Sequence, residues 1–289
     1  MEYDIHWVEV FAERPFGGNL LPVITGADGI SDESMATLAR RFQQAETSFV
    51  QRPTDDRADY LHRIFMVSGE IPFAGHPSIG TAAIVAHTTG RSSASYVQQT
   101  GVGCQPLQVA LRGSSGRVTL TQNPPEFGRR PDPASILDAI GVSAASRHRD
   151  LGPQIVSTGL PTLVLPLADV DILAAAQVDR ARLEAALDAL DLQQRPTVYA
   201  VARVDVGRWR ARAFVADVPG GEDAATGSAA GPFGAYVARH LGETATVIDQ
   251  GIEMGSPSRL TVKASPTEGD TVDVTGAVRI VGAGTHDVP

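Results

Sequence analysis

Three side chains of this 289-residue chain stand at positions where a folded protein could use them to move a proton. Glu46 directly precedes a predicted strand, His76 begins a predicted helix, and Asp223 stands three residues before Thr226, where a second helix is predicted to start. Carboxyl and imidazole groups are the usual general acids and bases of enzymes. Taken alone, each is more typical of a structural residue: a solvated loop glutamate, a turn histidine and a helix-capping aspartate.

Glycines mark both of the predicted helix starts. Gly75 and Gly227 are 152 residues apart, and each precedes an apolar, alanine-rich segment. The first turn of a helix presents unpaired N–H groups and a partial positive charge, and a glycine lets a ligand approach the backbone. The pair therefore predicts carboxylate binding, with stabilisation of negative charge when a neighbouring carbon loses a proton. A phosphate-binding loop is excluded because no Gly-Lys-Ser/Thr follows either glycine, but each glycine could instead simply permit a tight turn.

Other chemistry finds little support in the residue pattern. The single cysteine, Cys104, is more typical of a small apolar residue than of a nucleophile. Ser228 does not lie in the Gly-x-Ser-x-Gly pattern of a nucleophile elbow. No histidine pair has zinc-ligand spacing. We therefore expect no metal and no organic cofactor. The seven histidines are His6, His62, His76, His87, His148, His240 and His286.

A weak internal repeat runs through the chain at the same offset of 152 residues. Gly69-Glu70 and the segment 74–80 align with Gly221-Glu222 and the segment 226–232. The helices predicted to follow, 77–88 and 226–240, are apolar nearly all round, which is typical of a buried helix wrapped by strands. The proline-rich stretch 123–133 is the best candidate linker between the two halves.

These patterns predict two domains. We expect an N-terminal domain over residues 1–123, a C-terminal domain over 124–275, and a final strand, 276–289, that returns to the first domain. The net charge of −9 excludes a nucleic-acid binder, because phosphate binding requires a basic face. Neither a signal peptide nor an apolar run long enough to span a membrane is present, so we expect a cytoplasmic protein.

Two long segments carry a resemblance to a known family. Residues 70–77 and 222–232 resemble the phenazine-biosynthesis isomerase (PhzF-like) family. Supporting matches occur in family order and extend the resemblance over nearly the whole chain: Gly18-Asn19, Glu46-Thr47-Ser48-Phe49-Val50, the segment 250–258 and Gly282-Ala283-Gly284.

The resemblance implies an α/β fold like that of diaminopimelate epimerase. It has two pseudo-symmetric domains, each a curled, mostly antiparallel sheet around a central helix, with the active site between them. Two-thiol racemisation is not available, because the helix starts carry no cysteine. The resemblance instead places the acid/base on Glu46, with His76 and Asp223 assisting. It assigns substrate binding to Asn19, Gly75, Gly227 and Ser228.

The reaction implied is a cofactor-independent shift of a proton on a small cyclic carboxylic acid. The best-known family member isomerises trans-2,3-dihydro-3-hydroxyanthranilate during phenazine biosynthesis. Ala45, Leu20 and Met66-Val67 depart from the family pattern and leave the exact substrate open. Isomerisation of a pyrroline carboxylate, a non-catalytic small-acid binder and a racemase with two carboxylates stay as alternatives. We also expect a homodimer.

Overall fold

The computed structural model describes residues 1–265, 267 and 269–288. The chain divides into two compact units, which are described separately below. The first unit comprises Met1–Gln122 and Val274–Pro289, and the second comprises Asn123–Asp273. No helix among the described residues is long and apolar enough to cross a membrane.

In the part of the first unit that the structure describes there are two helices and nine strands, and the last strand begins at the end of the second unit. The helices are α1 (Asp32–Phe42) and α2 (Gly75–Thr88). The strands are β1 (Glu2–Val10), β2 (Asn19–Thr25), β3 (Thr47–Gln51), β4 (Tyr60–Met66), β5 (Gly69–Ile71), β6 (Ser93–Thr100), β7 (Gly103–Arg112), β8 (Ser115–Gln122) and β17 (Val272–Asp287).

The described residues of the second unit form four α-helices, two short 3₁₀ helices and eight strands. The α-helices are α3 (Ala134–Ala139), α4 (Val170–Ala175), α5 (Arg180–Asp188) and α6 (Gly227–Leu241), and the 3₁₀ helices are Ala144–Ser146 and Pro219–Gly221. The strands are β9 (Glu126–Phe127), β10 (Gln154–Ser157), β11 (Pro161–Pro166), β12 (Thr197–Asp205), β13 (Arg208–Phe214), β14 (Glu222–Asp223), β15 (Ala245–Gln250) and β16 (Ser258–Ala264).

In the first unit the strand pairings close on themselves. The order is β17, β1, β2, β3, β4, β6, β7, β8 and back to β17. Two of the described registers, β2 with β3 and β4 with β6, are parallel, and the other described registers in this order are antiparallel. Helix α2 contacts seven of these strands and fills the space they enclose. A sheet curled around a helix lets every strand bury one face against it.

The second unit repeats this topology. Its strands pair in the same sequence of directions as β1 to β7. Strand β10 is antiparallel to β11, β11 is parallel to β12, and β12 is antiparallel to β13. Strand β13 is parallel to β15, and β15 is antiparallel to β16. Helix α6 contacts five of these strands. The internal repeat predicted from the sequence therefore describes two copies of one strand–helix arrangement.

The central helices are buried almost throughout, as their apolar composition predicted. Every residue of α6 from Gly227 to Ala238 is buried. Gly234 is required for this packing, because a Cβ there would lie 2.3 Å from the Cγ1 of Val262. The predicted start of α2 at Pro77 was two residues late. The helix begins at Gly75, so His76 belongs to its first turn, and Pro77 is tolerated there because first-turn N–H groups have no partner within the helix.

Other helices pack on the outer faces of the strands. In the second unit Leu163 and Leu165 of β11 face an apolar cluster that includes residues of α3, α4 and α5. The intervening Val164 is also fully buried. A strand that is covered on both faces has a continuous run of apolar residues instead of alternating apolar and polar residues. Helix α4 has six residues and strand β14 has two, so both are too short to show a periodic pattern and were not predicted.

Candidate active site

Glu46 lies in the loop between α1 and β3 and is held from both sides. Helix α1 ends at Phe42. The C-cap residue, Gln43, adopts a left-handed conformation and donates its backbone N–H to the Ala39 carbonyl. On the other side, Thr47 enters β3 and pairs with Phe65 of β4. The Glu46 side chain is only 11% exposed. A buried carboxyl group at the mouth of a strand is positioned for chemistry rather than for hydration.

His76 brings an imidazole ring to this carboxyl group. Its Nε2 lies 3.4 Å from Glu46 Oε2, and the ring is 2% exposed. Burial, with a smaller contribution from nearby His62, lowers the pKa of His76 to about 3. The ring is therefore neutral at neutral pH, and its contact with Glu46 is not an ion pair.

Asn19 determines which nitrogen of His76 carries the proton. Its side-chain Nδ2 lies 3.3 Å from His76 Nδ1, and an amide nitrogen can only donate. Nδ1 therefore accepts, and the single proton of the neutral ring resides on Nε2, facing Glu46. Gly18 places Asn19 at the start of β2: its φ is +76°, and a Cβ there would lie 2.3 Å from the Val10 carbonyl oxygen.

The start of α2 has no side-chain cap. The N-cap residue, Ala74, has no side chain that could bond the first-turn N–H groups. Its carbonyl accepts a hydrogen bond of 2.8 Å from the Ser78 hydroxyl, which anchors the turn from inside the helix. Gly75 and His76 therefore open a buried helix that lacks a side-chain cap, which is the arrangement that suits an anion.

In the second unit Asp223 lies at the end of β14 and forms part of a hydrogen-bonded cluster. Its Oδ2 accepts the Thr226 hydroxyl at 2.6 Å. Gln250 donates through Nε2 to the Asp223 carbonyl (2.8 Å) and to Thr226 Oγ1 (3.0 Å), and it accepts the Tyr199 hydroxyl through Oε1 (3.0 Å). Burial, reinforced by the charge of Asp223, raises the pKa of Tyr199, so this phenol keeps its proton and remains a donor.

Helix α6 also begins without a side-chain cap. Its N-cap residue is Thr226, and the Thr226 hydroxyl is directed to Asp223 instead of to the helix. The N-cap residue is therefore Thr226, and Asp223 lies three residues before it. Gly227 and Ser228 form the start of the helix, and Ser228 is 9% exposed.

The structure thus gathers the sequence-predicted residues into two groups. Asn19, Glu46, Gly75 and His76 form a cluster in the first unit, and Asp223, Gly227 and Ser228 form a cluster in the second. Sequence reasoning missed the two glutamines that hold the helix starts, Gln98 and Gln250. Their spacing could have indicated them, because they are 152 residues apart, the offset of the internal repeat. Gln98 lies on β6, which is parallel to β4, and Gln250 lies on β15, which is parallel to β13.

Cys104 belongs to neither cluster. It is the second residue of β7, and its Sγ donates a 3.5 Å hydrogen bond to Asp55. Burial and the interaction with Asp55 raise the pKa of this thiol, which disfavours the nucleophilic thiolate. Within the part of the chain that the structure describes, no three His, Cys, Asp or Glu side chains are grouped so that they could hold a metal ion.

Comparison with known proteins identifies the family. Residues 8–285 match the family described as phenazine biosynthesis-like protein. The chain is 32% identical over 273 residues to trans-2,3-dihydro-3-hydroxyanthranilate isomerase of Pseudomonas aeruginosa, covering 89% of this chain and 88% of the relative. It is 33% identical over 266 residues to the enzyme of the same name from Pseudomonas fluorescens, with the same coverage.

A solved structure supports the same assignment. The structure of a predicted epimerase from Pseudomonas aeruginosa superposes with a TM-score of 0.84 at 34% identity, covering 98% of both chains. The names of these relatives indicate an isomerase or epimerase, and the predicted fold class is confirmed. The chain therefore belongs to the phenazine biosynthesis-like family and has its two-domain, diaminopimelate epimerase-like fold.

Proposed function

We propose that this protein is a cofactor-independent isomerase that moves a proton on a small cyclic carboxylic acid, with trans-2,3-dihydro-3-hydroxyanthranilate as the first candidate substrate. The names of the two relatives from Pseudomonas support this substrate. The observation that carries the mechanism is the contact between buried Glu46 and neutral His76.

In this mechanism Glu46 is the acid/base. Its carboxylate accepts a proton from one ring carbon of the substrate, becomes a neutral carboxylic acid, and returns the proton to a second ring carbon. His76 does not carry the migrating proton, because an imidazole with a pKa near 3 is a poor base at neutral pH. Its Nε2 instead faces the Glu46 carboxylate at 3.4 Å, and this contact orients the carboxylate.

In this proposal the substrate carboxylate binds at a helix start that lacks a side-chain cap. The N–H groups at Gly75, Gly227 and Ser228 carry the partial positive charge of their helices, and each helix lacks a side-chain cap. They stabilise the negative charge that spreads onto the substrate when its ring carbon is deprotonated. Asp223, held by Thr226, orients an amino or hydroxyl group of the substrate.

The test uses the purified protein in deuterated water, with turnover and deuterium incorporation measured on dihydrohydroxyanthranilate and on a pyrroline carboxylate. Glu46→Gln keeps the size of the side chain but cannot accept the proton. Because general acid–base catalysis contributes about 10²–10⁴-fold, turnover should fall by at least about 100-fold. Binding of an unreactive aromatic carboxylate should survive, since the helix starts hold it.

The outcomes separate the alternatives. Asp223→Asn is the matched control, and it should lower turnover less than Glu46→Gln if Asp223 only positions the substrate. Wild-type turnover and label incorporation in Glu46→Gln would contradict the assignment of the base. Carboxylate binding by the wild-type protein without any incorporation would favour a non-catalytic binder. The homodimer expected from the sequence stays a prediction.

A further inference from the structure

A buried histidine outside the proposed catalytic group joins the two elements that carry it. His62 lies on β4 and is 2% exposed. Its Nε2 lies 2.8 Å from the Ser48 hydroxyl and 3.2 Å from the Thr81 hydroxyl, and its Nδ1 lies 3.0 Å from Gln98 Oε1. Three elements besides β4 therefore meet at one imidazole ring: β3, α2 and β6.

The direction of every hydrogen bond in this network is determined. Gln98 donates through Nε2 to the Ser78 hydroxyl (2.8 Å) and to Gln105 Oε1 (3.1 Å), so the oxygen that faces His62 is an acceptor. Nδ1 must then carry the ring proton, and Nε2 accepts from both hydroxyls. Ser78 in turn donates to the Ala74 carbonyl at the start of α2.

The two hydroxyls stand close to the proposed catalytic residues along the chain. Ser48, on β3, follows Glu46 by two residues, and Thr81, on α2, follows His76 by five residues, or about 1.4 helical turns. One ring nitrogen thus accepts a hydrogen bond from each of the two elements. Because an unpaired polar group is costly in a buried site, the network resists any sliding of α2 along β3.

We propose that His62, as the neutral tautomer protonated on Nδ1, is a positioning residue that sets the distance between Glu46 and His76. This role rests on the proposed function, in which those two residues act together. The burial that surrounds the ring also lowers the pKa of His62 to about 4, so the accepting nitrogen stays available at neutral pH.

The tautomer is tested directly by nitrogen NMR of the full-length protein labelled with ¹⁵N-histidine. The His62 signals are assigned from their loss in His62→Gln. At pH 7 we expect a protonated Nδ1 and an unprotonated Nε2 for His62, and the opposite tautomer for His76. A proton on Nε2 of His62, or on both of its nitrogens, would overturn the proposal.

The positioning role is tested by kinetics on the accepted substrate. His62→Leu removes both the acceptor and the donor, and a misplacement of about 1 Å can cost about 10²-fold, so we expect kcat to fall by about 10- to 100-fold with KM within about twofold. His62→Gln retains an amide donor and an acceptor and should recover most of kcat. Ser48→Ala, which removes a single hydroxyl, should lower kcat by a smaller factor and serves if His62→Leu does not fold.

The matched control is Leu38→Ala on α1, a buried residue of the same unit that is not part of the network. It loses stability through a cavity and should keep kcat. If His62→Leu or Ser48→Ala loses no more kcat than Leu38→Ala, the positioning role is wrong. This failure can be told apart from a failure of the proposed function. Full turnover in Glu46→Gln would contradict the assignment of Glu46 as the base. An inactive Glu46→Gln together with a fully active His62→Leu would contradict only the positioning role of His62.

Discussion

Mild acid should destabilise the first unit, because two of its buried histidines stay neutral in the folded chain. Burial lowers the pKa of His62 to about 4 and that of His76 to about 3, from an ordinary value of 6.5. In the unfolded chain both rings are hydrated and bind a proton near pH 6.5. Below that pH the unfolded state therefore holds more protons than the folded state, and the free energy of unfolding falls as the pH falls.

The size of the effect follows from these two values. Each histidine contributes a slope of up to about 1.4 kcal/mol per pH unit between its unfolded and folded pKa. Between about pH 6.5 and 4.5 each should lower the free energy of unfolding by about 2 kcal/mol, and the pair by about 4 kcal/mol. Since domains are typically stable by only about 5–15 kcal/mol, this loss is large enough to dominate the acid response.

The assay is urea unfolding followed by circular dichroism at several pH values between about 7 and 4.5. The slope of the free energy against pH is compared among the wild type, His62→Gln, His76→Gln and the double variant. Each replacement removes one titrating ring, so each should flatten the slope whatever it does to stability at pH 7. Leu38→Ala is the control, because it destabilises the same unit through a cavity without removing a titrating group.

One result would refute this reasoning. If the double variant loses stability with acid as steeply as the wild type, the two rings are not held neutral by burial, and carboxyl groups must account for the acid response. Such a result would also remove the argument that His76 is neutral where it faces Glu46.

Two further predictions concern packing around the site. Gly18→Ala should lower the free energy of unfolding in urea by about 1–3 kcal/mol, because φ is positive at Gly18 and the new Cβ would meet the Val10 carbonyl oxygen. An unchanged free energy of unfolding would show that the turn can relax. Arg212→Met should cost about 3–5 kcal/mol, because it removes a buried guanidinium and leaves the partly buried Glu222 without its ion pair. The equivalent change at the more exposed Arg63 should cost about 1 kcal/mol, and equal losses would contradict the role of burial.

The second of these comparisons uses an equivalence between the two units. Arg63 stands two residues before Phe65, which pairs with Glu70, and Arg212 stands two residues before Phe214, which pairs with Glu222. In both units the arginine bonds that glutamate, and its guanidinium lies 5.3 Å or 5.0 Å from the centre of the phenylalanine ring. These residues support the strand that leads into each central helix.

The residues proposed for acid/base chemistry do not follow this equivalence. Asp223 pairs with Ala213 in the same register in which Ile71 pairs with Ile64, so an apolar residue stands in the first unit where the second has a carboxylate. Glu46 likewise precedes the residue opposite Phe65, and the corresponding position before Val198 holds Thr197. A repeated fold therefore carries two chemically different clusters, which suits a single migrating proton better than symmetric racemisation by two equivalent bases.

The sequence alone determined the repeat, the two buried helices and the glycines at their starts. These features are local: an apolar segment without a polar face must be buried, and its alanine-rich composition indicates a helix. The proton-transfer candidates also stood out, although Glu46, His76 and Asp223 owed their roles to the family resemblance.

The contacts that join these residues were decided only by the tertiary structure. Glu46 and His76 are 30 residues apart, and Asn19 reaches His76 across 57 residues, so no local pattern could predict which nitrogen of the ring carries the proton. The same holds for His62, whose sequence context is that of an ordinary strand residue. Its partners depend on strand register and on the rotation of α2, because a side chain's hydrogen bonds are set by what the fold packs against it.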